Sequence, residues 1–127
     1  MTENEIATKV IGICLNIHTK LGPGLLESVY EKILAYDLEE AGFQVETQVA
    51  APLKYKSMVF DDAFRFDLVV NDKLIIELKS VNKLEPVHFA QTLTYLKISD
   101  KKLGLLINFN ERFLKHGIHR IVNNLEE

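Results

Sequence analysis

Near the start of the chain, apolar side chains recur at Ile6, Val10, Ile13, Ile17 and Leu21, three or four positions apart. That spacing is the stripe of an amphipathic helix and predicts one over roughly residues 4–20. Gly22-Pro23-Gly24 ends it, since proline lacks a backbone donor and glycine admits a sharp turn. Leu26, Val29, Ile33 and Leu38 then resume a helical stripe to about Ala41, with Gly42 as the C-terminal stop. After Gly42 the period falls to two: Phe43, Val45, Thr47 and Val49 alternate with Gln44, Glu46 and Gln48, which predicts a strand continuing past Pro52 to Tyr55. Phe64 to Val70 and Leu74 to Val81 read as a β-hairpin around Asn71-Asp72-Lys73. Both of its strands are rich in Val, Ile and Leu on both faces, so the sheet is expected to be covered on both sides. Pro86 opens a third helix to about Ile98, with Phe89, Leu93 and Leu96 as its apolar side. Lys102 to Phe109 reads as a short buried strand, and Gly117 to Val122 as a final edge strand or a helical turn. The order is helix, helix, three strands, helix, strand, an α/β arrangement expected to form one domain over residues 1–127.

Composition narrows the function classes. The chain has 127 residues, 47% hydrophobic and 26% charged, the balance of a folded domain rather than a disordered one. No apolar run approaches the roughly 20 residues that a membrane span needs. The opening MTENEIATKV lacks the basic start and apolar centre of a secretory signal, and the single Cys14 forms no intramolecular disulfide, so a cytoplasmic protein with a packed, reduced thiol is expected. The net charge is −3, with three bases against eight acids in residues 1–50 and twelve against ten thereafter. A net-acidic chain is a poor non-specific binder of nucleic acid, because that affinity comes from neutralising phosphates. Lys97 to Arg120 nevertheless gathers six bases and two histidines against two acids. That stretch is either a solvated face or a local phosphate-binding patch.

The informative segment is Arg65-Phe66-Asp67 with Glu77-Leu78-Lys79. Side chains two apart on a strand share a face, so Glu77 and Lys79 project together while Leu78 points the other way. A three-residue hairpin loop at 71–73 sets Val70 opposite Leu74 and Asp67 opposite Glu77. A two-residue loop pairs Asp67 with Ile76 and disperses the cluster, because a one-residue slip exchanges faces. Two adjacent carboxylates with only oxygen donors suit magnesium or manganese, and a lysine beside them can orient an attacking water or hold the negative charge of a phosphoryl transition state. The competing reading is an exposed salt-bridge ladder; against it, Glu77 and Lys79 interrupt an otherwise apolar strand, where charges are paired or functional. Glu27 and Tyr30, three apart, share the surface of the second helix. His88, Gln91 and Tyr95 form a polar stripe on the third, opposite Phe89, Leu93 and Leu96.

Taken together, Gly24, Glu27 and Tyr30, then Asp67, Glu77 and Lys79, then Gln91 and Tyr95, resemble the bacterial and archaeal GxxExxY proteins. That family is placed within the PD-(D/E)XK nuclease-like superfamily, and the likeness runs from about Gly22 to Arg120. It implies a restriction-endonuclease-like core, a mixed central sheet flanked by helices, here with an extra N-terminal helix. It departs from the pattern in having Phe66 where a proline usually precedes the aspartate. The implied activity is magnesium- or manganese-dependent hydrolysis of nucleic-acid phosphodiesters. Asp67 and Glu77 would bind the ion with help from the Leu78 carbonyl, Glu27 would hold a second ion or a water, and Lys79 would assist the nucleophile. Gln91 and Tyr95 would position substrate or buttress Lys79, and Tyr30, Arg65 and His88 would contact substrate. The alternative is an inactive module of the same fold that binds nucleic acid or a protein partner. Homodimerisation through the N-terminal helix is left open.

Overall fold

The computed structural model describes residues 1–126. Its elements in chain order are α1 (Glu3–Leu21), α2 (Glu27–Glu40), β1 (Val45–Tyr55), β2 (Met58–Val70), β3 (Leu74–Lys79), α3 (Pro86–Ser99), β4 (Leu103–Asn108), a 3-10 turn at Leu114–His116, and β5 (Ile118–Val122). The five strands lie side by side in that same order. All neighbours are antiparallel except β3 and β4, which run parallel. A parallel pair needs a long crossover, and α3 provides it. The expected order of helix, helix, three strands, helix, strand is therefore observed, and the C-terminal segment resolves as an edge strand.

Thr2 caps α1, accepting from the Glu5 N–H while Glu5 accepts from the Thr2 N–H, so two donors at the helix start are satisfied. The buried side of α1 comprises Ile6, Ala7, Val10, Cys14, Ile17 and His18. Cys14 is fully enclosed, and burial pushes its thiol up to about 12, so it is an unreactive part of the core. In α2 the buried side is Tyr30, Leu34, Ala35 and Leu38; Leu38 and the partly buried Ile33 match the expected stripe, whereas Leu26 is 73% exposed and Val29 37%. These helices cover one sheet face, where Leu68, Val70, Ile76, Leu78, Leu105 and Ile107 meet them. On the other face, Phe66, Val69 and Ile75 pack against Leu96 of α3. β3 is thus buried on both sides from Leu74 to Leu78, as its apolar run predicts.

The hairpin between β2 and β3 has the three-residue loop: Val70 stands opposite Leu74, Val69 opposite Ile75 and Leu68 opposite Ile76. Asn71 and Asp72 both adopt left-handed backbone, at φ 52° and 55°, which asparagine and aspartate tolerate better than other side chains. Asn71 fixes the loop on β1, its side chain accepting from the Gln44 N–H and its own N–H donating to the Gln44 carbonyl. The first half of β2, Met58 to Ala63, was not expected to be a strand. It pairs only with β1, in a ribbon exposed along its outer length. Pro52 is accommodated in β1 by a register shift between Ala51 and Leu53. Among the described residues no helix is long and apolar enough to cross a membrane.

Candidate active site

The ladder between β2 and β3 ends at Leu68 and Ile76, and side chains take over where it stops. The Leu78 N–H donates to Asp67 Oδ2 at 2.8 Å, and the Asp67 N–H donates to Glu77 Oε1 at 3.3 Å. The three-residue loop therefore brings the two carboxyls together at the place where the strands part. Glu77 is only 6% exposed. Burial, reinforced by the adjacent Asp67 charge and a hydrogen bond between the two carboxyls, pushes the Glu77 carboxyl up to about 8, against the opposing pull of the Asp67 N–H and Lys79. Glu77 thus holds a proton at neutral pH. Like charges in contact cannot both ionise cheaply, and one shared proton removes the conflict.

Lys79, half-buried at the end of β3, lies opposite Asn108 in the parallel ladder, and its carbonyl accepts from the Phe109 N–H at 2.9 Å. Asn108 is fully buried and clamps the chain that leaves β3: its Oδ1 accepts from the Val81 N–H at 3.1 Å and its amide donates to the Val81 carbonyl at 2.9 Å. The Asn108 N–H in turn reaches the Gly117 carbonyl at 2.9 Å. A Cβ at residue 117 would stand 2.6 Å from the Asn108 carbonyl oxygen, so this close approach requires glycine. Buried and fully satisfied, the Asn108 side chain holds the backbone that follows Lys79 in one geometry.

Glu27 is the first residue of α2, half-buried above the same strand end. Burial raises its carboxyl above the usual range; Lys79 opposes that shift, and Asp67 and Glu31 add to it. Glu31, one turn on, is raised by burial too, with a Gln48 hydrogen bond opposing. Gln48 Nε2 donates to Glu31 Oε1 at 2.6 Å and to Asp67 Oδ1 at 3.3 Å. Leu26, Glu27, Ser28, Glu31, Gln48 and Asp67 line a cleft of about 390 Å³. Glu31 and Gln48 also border a larger cleft of about 750 Å³ that continues between α2 and β1 past Tyr36 and Glu40. Glu31, Gln48 and Asn108 were not singled out by sequence reasoning. Gln48 reads there as one more outward polar position in the β1 alternation.

The residues expected from α3 divide. Tyr95 turns toward the sheet: its ring stacks on Phe64 with centroids 4.1 Å apart and meets Phe66 edge-on at 6.1 Å. Burial raises its hydroxyl, and the Glu77 and Asp67 charges raise it further, with hydrogen bonding from Gln91 opposing. Tyr95 thus shares the packed side of α3 with Leu96 rather than lying opposite it. His88 instead caps the helix, its Nδ1 accepting from the Glu85 N–H at 2.9 Å. Phe89, expected inside, packs edge-on against His119 with ring centroids 5.0 Å apart.

Two expected substrate contacts lie elsewhere. Tyr30 is completely buried and does not reach the cleft. Its hydroxyl donates to the Gly22 carbonyl at 2.6 Å, accepts from the Leu25 N–H at 3.2 Å, and its ring stacks on Phe109. It therefore locks the Gly22–Leu25 turn that presents Glu27. Arg65 is exposed and pairs with Asp62 at 2.8 Å. Nor does the expected trio of Asp67, Glu77 and Glu27 close up: among the described residues no three His, Cys, Asp or Glu side chains are grouped so as to hold a metal ion.

With this geometry in hand, a family model described as the PD-(D/E)XK nuclease superfamily matches residues 4–121. No curated protein and no solved structure gives a significant match.

Proposed function

The chain belongs to the PD-(D/E)XK nuclease superfamily, and we propose that it is a magnesium- or manganese-dependent phosphodiesterase that hydrolyses nucleic acid. Gly24, Glu27 and Tyr30 support the finer reading that, within that superfamily, it is one of the GxxExxY proteins. The observation that carries the reading is the meeting of Asp67 and Glu77 at the parting of β2 and β3, with the charge of Lys79 acting on Glu77 from beyond them.

Enzymes of this superfamily generally use divalent metal ions, and here the paired carboxyls of Asp67 and Glu77 offer oxygen donors to one, while Glu27 does not close on them as a third ligand. The donors are all oxygens, as hard cations prefer. Glu77 carries a proton only because Asp67 and burial crowd it, so a cation can take that proton's place. Asp67 and Glu77 would hold the ion, with Glu27 across the cleft; when bound, it supplies Lewis-acid polarisation of a phosphoryl oxygen. Lys79, its exit fixed by Asn108, stabilises the charge that develops on the phosphoryl group as water attacks phosphorus and the ester oxygen leaves. Tyr95 and Gln91 close the α3 side and orient the substrate there.

One observation favours a second reading, the non-catalytic module. Asp67 and Glu77 already accept main-chain hydrogen bonds, so they can serve as a structural clasp where the ladder ends. Incubating the pure protein with labelled single- and double-stranded DNA and RNA, with magnesium, manganese or EDTA, separates the two. Metal-dependent cleavage that EDTA stops, and that Asp67→Asn loses, supports the enzyme. Binding without cleavage under every metal leaves the module.

A further inference from the structure

Gln48 is unusual in its backbone as well as its side chain. Its φ is +49°, in the left-handed region that residues with a Cβ seldom enter inside a strand. The flanking pairs, Thr47 with Leu68 and Val49 with Phe66, keep one register, and the ladder skips the position between them, where Gln48 would face Asp67. A backbone held in a sparsely populated region persists only where its surroundings over-determine it, and such residues gather at working sites. Here the surroundings are two carboxylates. Both hydrogens of the one Nε2 are available, so the amide can donate to Glu31 at 2.6 Å and to Asp67 Oδ1 at 3.3 Å together. Each carboxylate then meets a hydrogen instead of its neighbour's charge. Asp67 Oδ2 is meanwhile held by the Leu78 N–H at 2.8 Å, so donors from the two flanking strands fix the plane of one carboxylate.

We propose that Gln48 is a positioning residue for Asp67. The left-handed kink in β1 brings its amide between Asp67 and Glu31, and this sets the direction in which Asp67 faces the cation and the substrate phosphate. Glu31 is the outer anchor that keeps the amide aimed inward. The inference rests on the cation-dependent reading of Asp67 given above. It also accounts for the residue type: a glutamate would place a third negative charge in the cluster, and an asparagine is one methylene too short to span it.

The decisive variant is Gln48→Gly, which removes the amide and at the same time suits the left-handed backbone. Its melting temperature should hold or rise, while its affinity for manganese alone, by calorimetry, should fall roughly 10- to 100-fold, as expected when a partner that orients a metal ligand is lost. Manganese binding equal to the parent's overturns the proposal, as does a fall in melting temperature with binding intact. The second measurement needs no metal. The side-chain amide resonances of Gln48 should move in both Asp67→Asn and Glu31→Gln. If they stay where they are in both variants, the proposal fails. If the parent takes up no manganese yet those resonances respond, the cation reading fails while the positioning of Asp67 by Gln48 stands.

Discussion

On the α3 side of the site Tyr95 lies flat on Phe64 and edge-on to Phe66, whereas on the α2 side Glu27, Glu31, Gln48 and Asp67 line an open cleft. Asp67 and Glu77 are one hydrogen bond apart, yet they divide between these surroundings. Glu77 is enclosed and protonated; Asp67 is half-buried and borders the cleft. An aromatic wall excludes water and strengthens every charge interaction beside it, while a polar cleft lets an ion and a phosphate approach. The contrast assigns different work to chemically similar groups. On the proposed reading, the enclosed side sets the energetics and the open side admits the ligand.

Lys79 should give the largest effect, because on the proposed reading it acts on charge that develops only during reaction. Lys79→Ala is expected to lower the cleavage rate by about 10²- to 10³-fold, the usual consequence of removing one preorganised stabilising group. Metal-induced stabilisation should be unchanged, since the carboxylates remain. Equal losses of nucleic-acid affinity and rate would move Lys79 from the transition state to ground-state binding.

Glu77 comes next and tests the enclosed side directly. Its carboxyl is raised from 4.5 to about 8 in the folded chain, so between those pH values the folded state keeps a proton that the unfolded state has lost. The resulting stability is fully present below pH 4.5 and is lost as pH rises through about 8. The loss should be on the order of 2 to 5 kcal/mol in metal-free protein. Glu77→Gln should flatten that slope, measured by urea unfolding across the range. If magnesium binds as proposed, it competes with the same proton, so its stabilising effect on the parent should grow from about pH 6 to about pH 8. A slope shared by parent and Glu77→Gln would place the titration on another group.

Asp67 tests the open side. A ligand at a hundred times its Kd adds about 2.7 kcal/mol, or roughly 10 °C of melting temperature for a domain of this size. Asp67→Asn should keep the fold and lose that gain. A mutant that responds like the parent would make the pair a structural clasp.

The same two sides differ in how much of them the sequence reveals. The enclosed side depends on strand periodicity and loop length: the apolar run of β3 and Asn71-Asp72-Lys73 mark a hairpin and narrow it to two registers, of which the structure has the one that joins Asp67 to Glu77. The open side depends on features that leave no local mark. Gln48 sits in a regular polar alternation, and nothing in residue type announces a left-handed backbone that turns it toward two acids. Glu27 and Tyr30 are three apart and equivalent by spacing, but rotation of α2 puts one over the cleft and the other wholly inside. Met58 to Ala63 has neither alternation nor burial; it is a strand because β1 lies beside it. Pairing and helix rotation are tertiary facts, and local propensity yields to them.

Tyr95 should give the smallest effect, because its ring and its hydroxyl have different surroundings. The ring packs on Phe64 and Phe66, and stacked or edge-on aromatic pairs contribute about 0.5 to 1.5 kcal/mol beyond their buried area. The hydroxyl lies in the field of Glu77 and Asp67. Tyr95→Phe keeps the ring and deletes only the hydroxyl, so its melting temperature should stay within about 2 °C of the parent's while cleavage falls by a factor of roughly ten or less, about one hydrogen bond. Phe64→Ala should do the reverse, costing stability with no loss in the rate per folded molecule beyond what a loosened Tyr95 causes. If Tyr95→Phe were destabilising and fully active, the hydroxyl would belong to the packing, and the division between an energetic wall and an admitting cleft would shift by one residue.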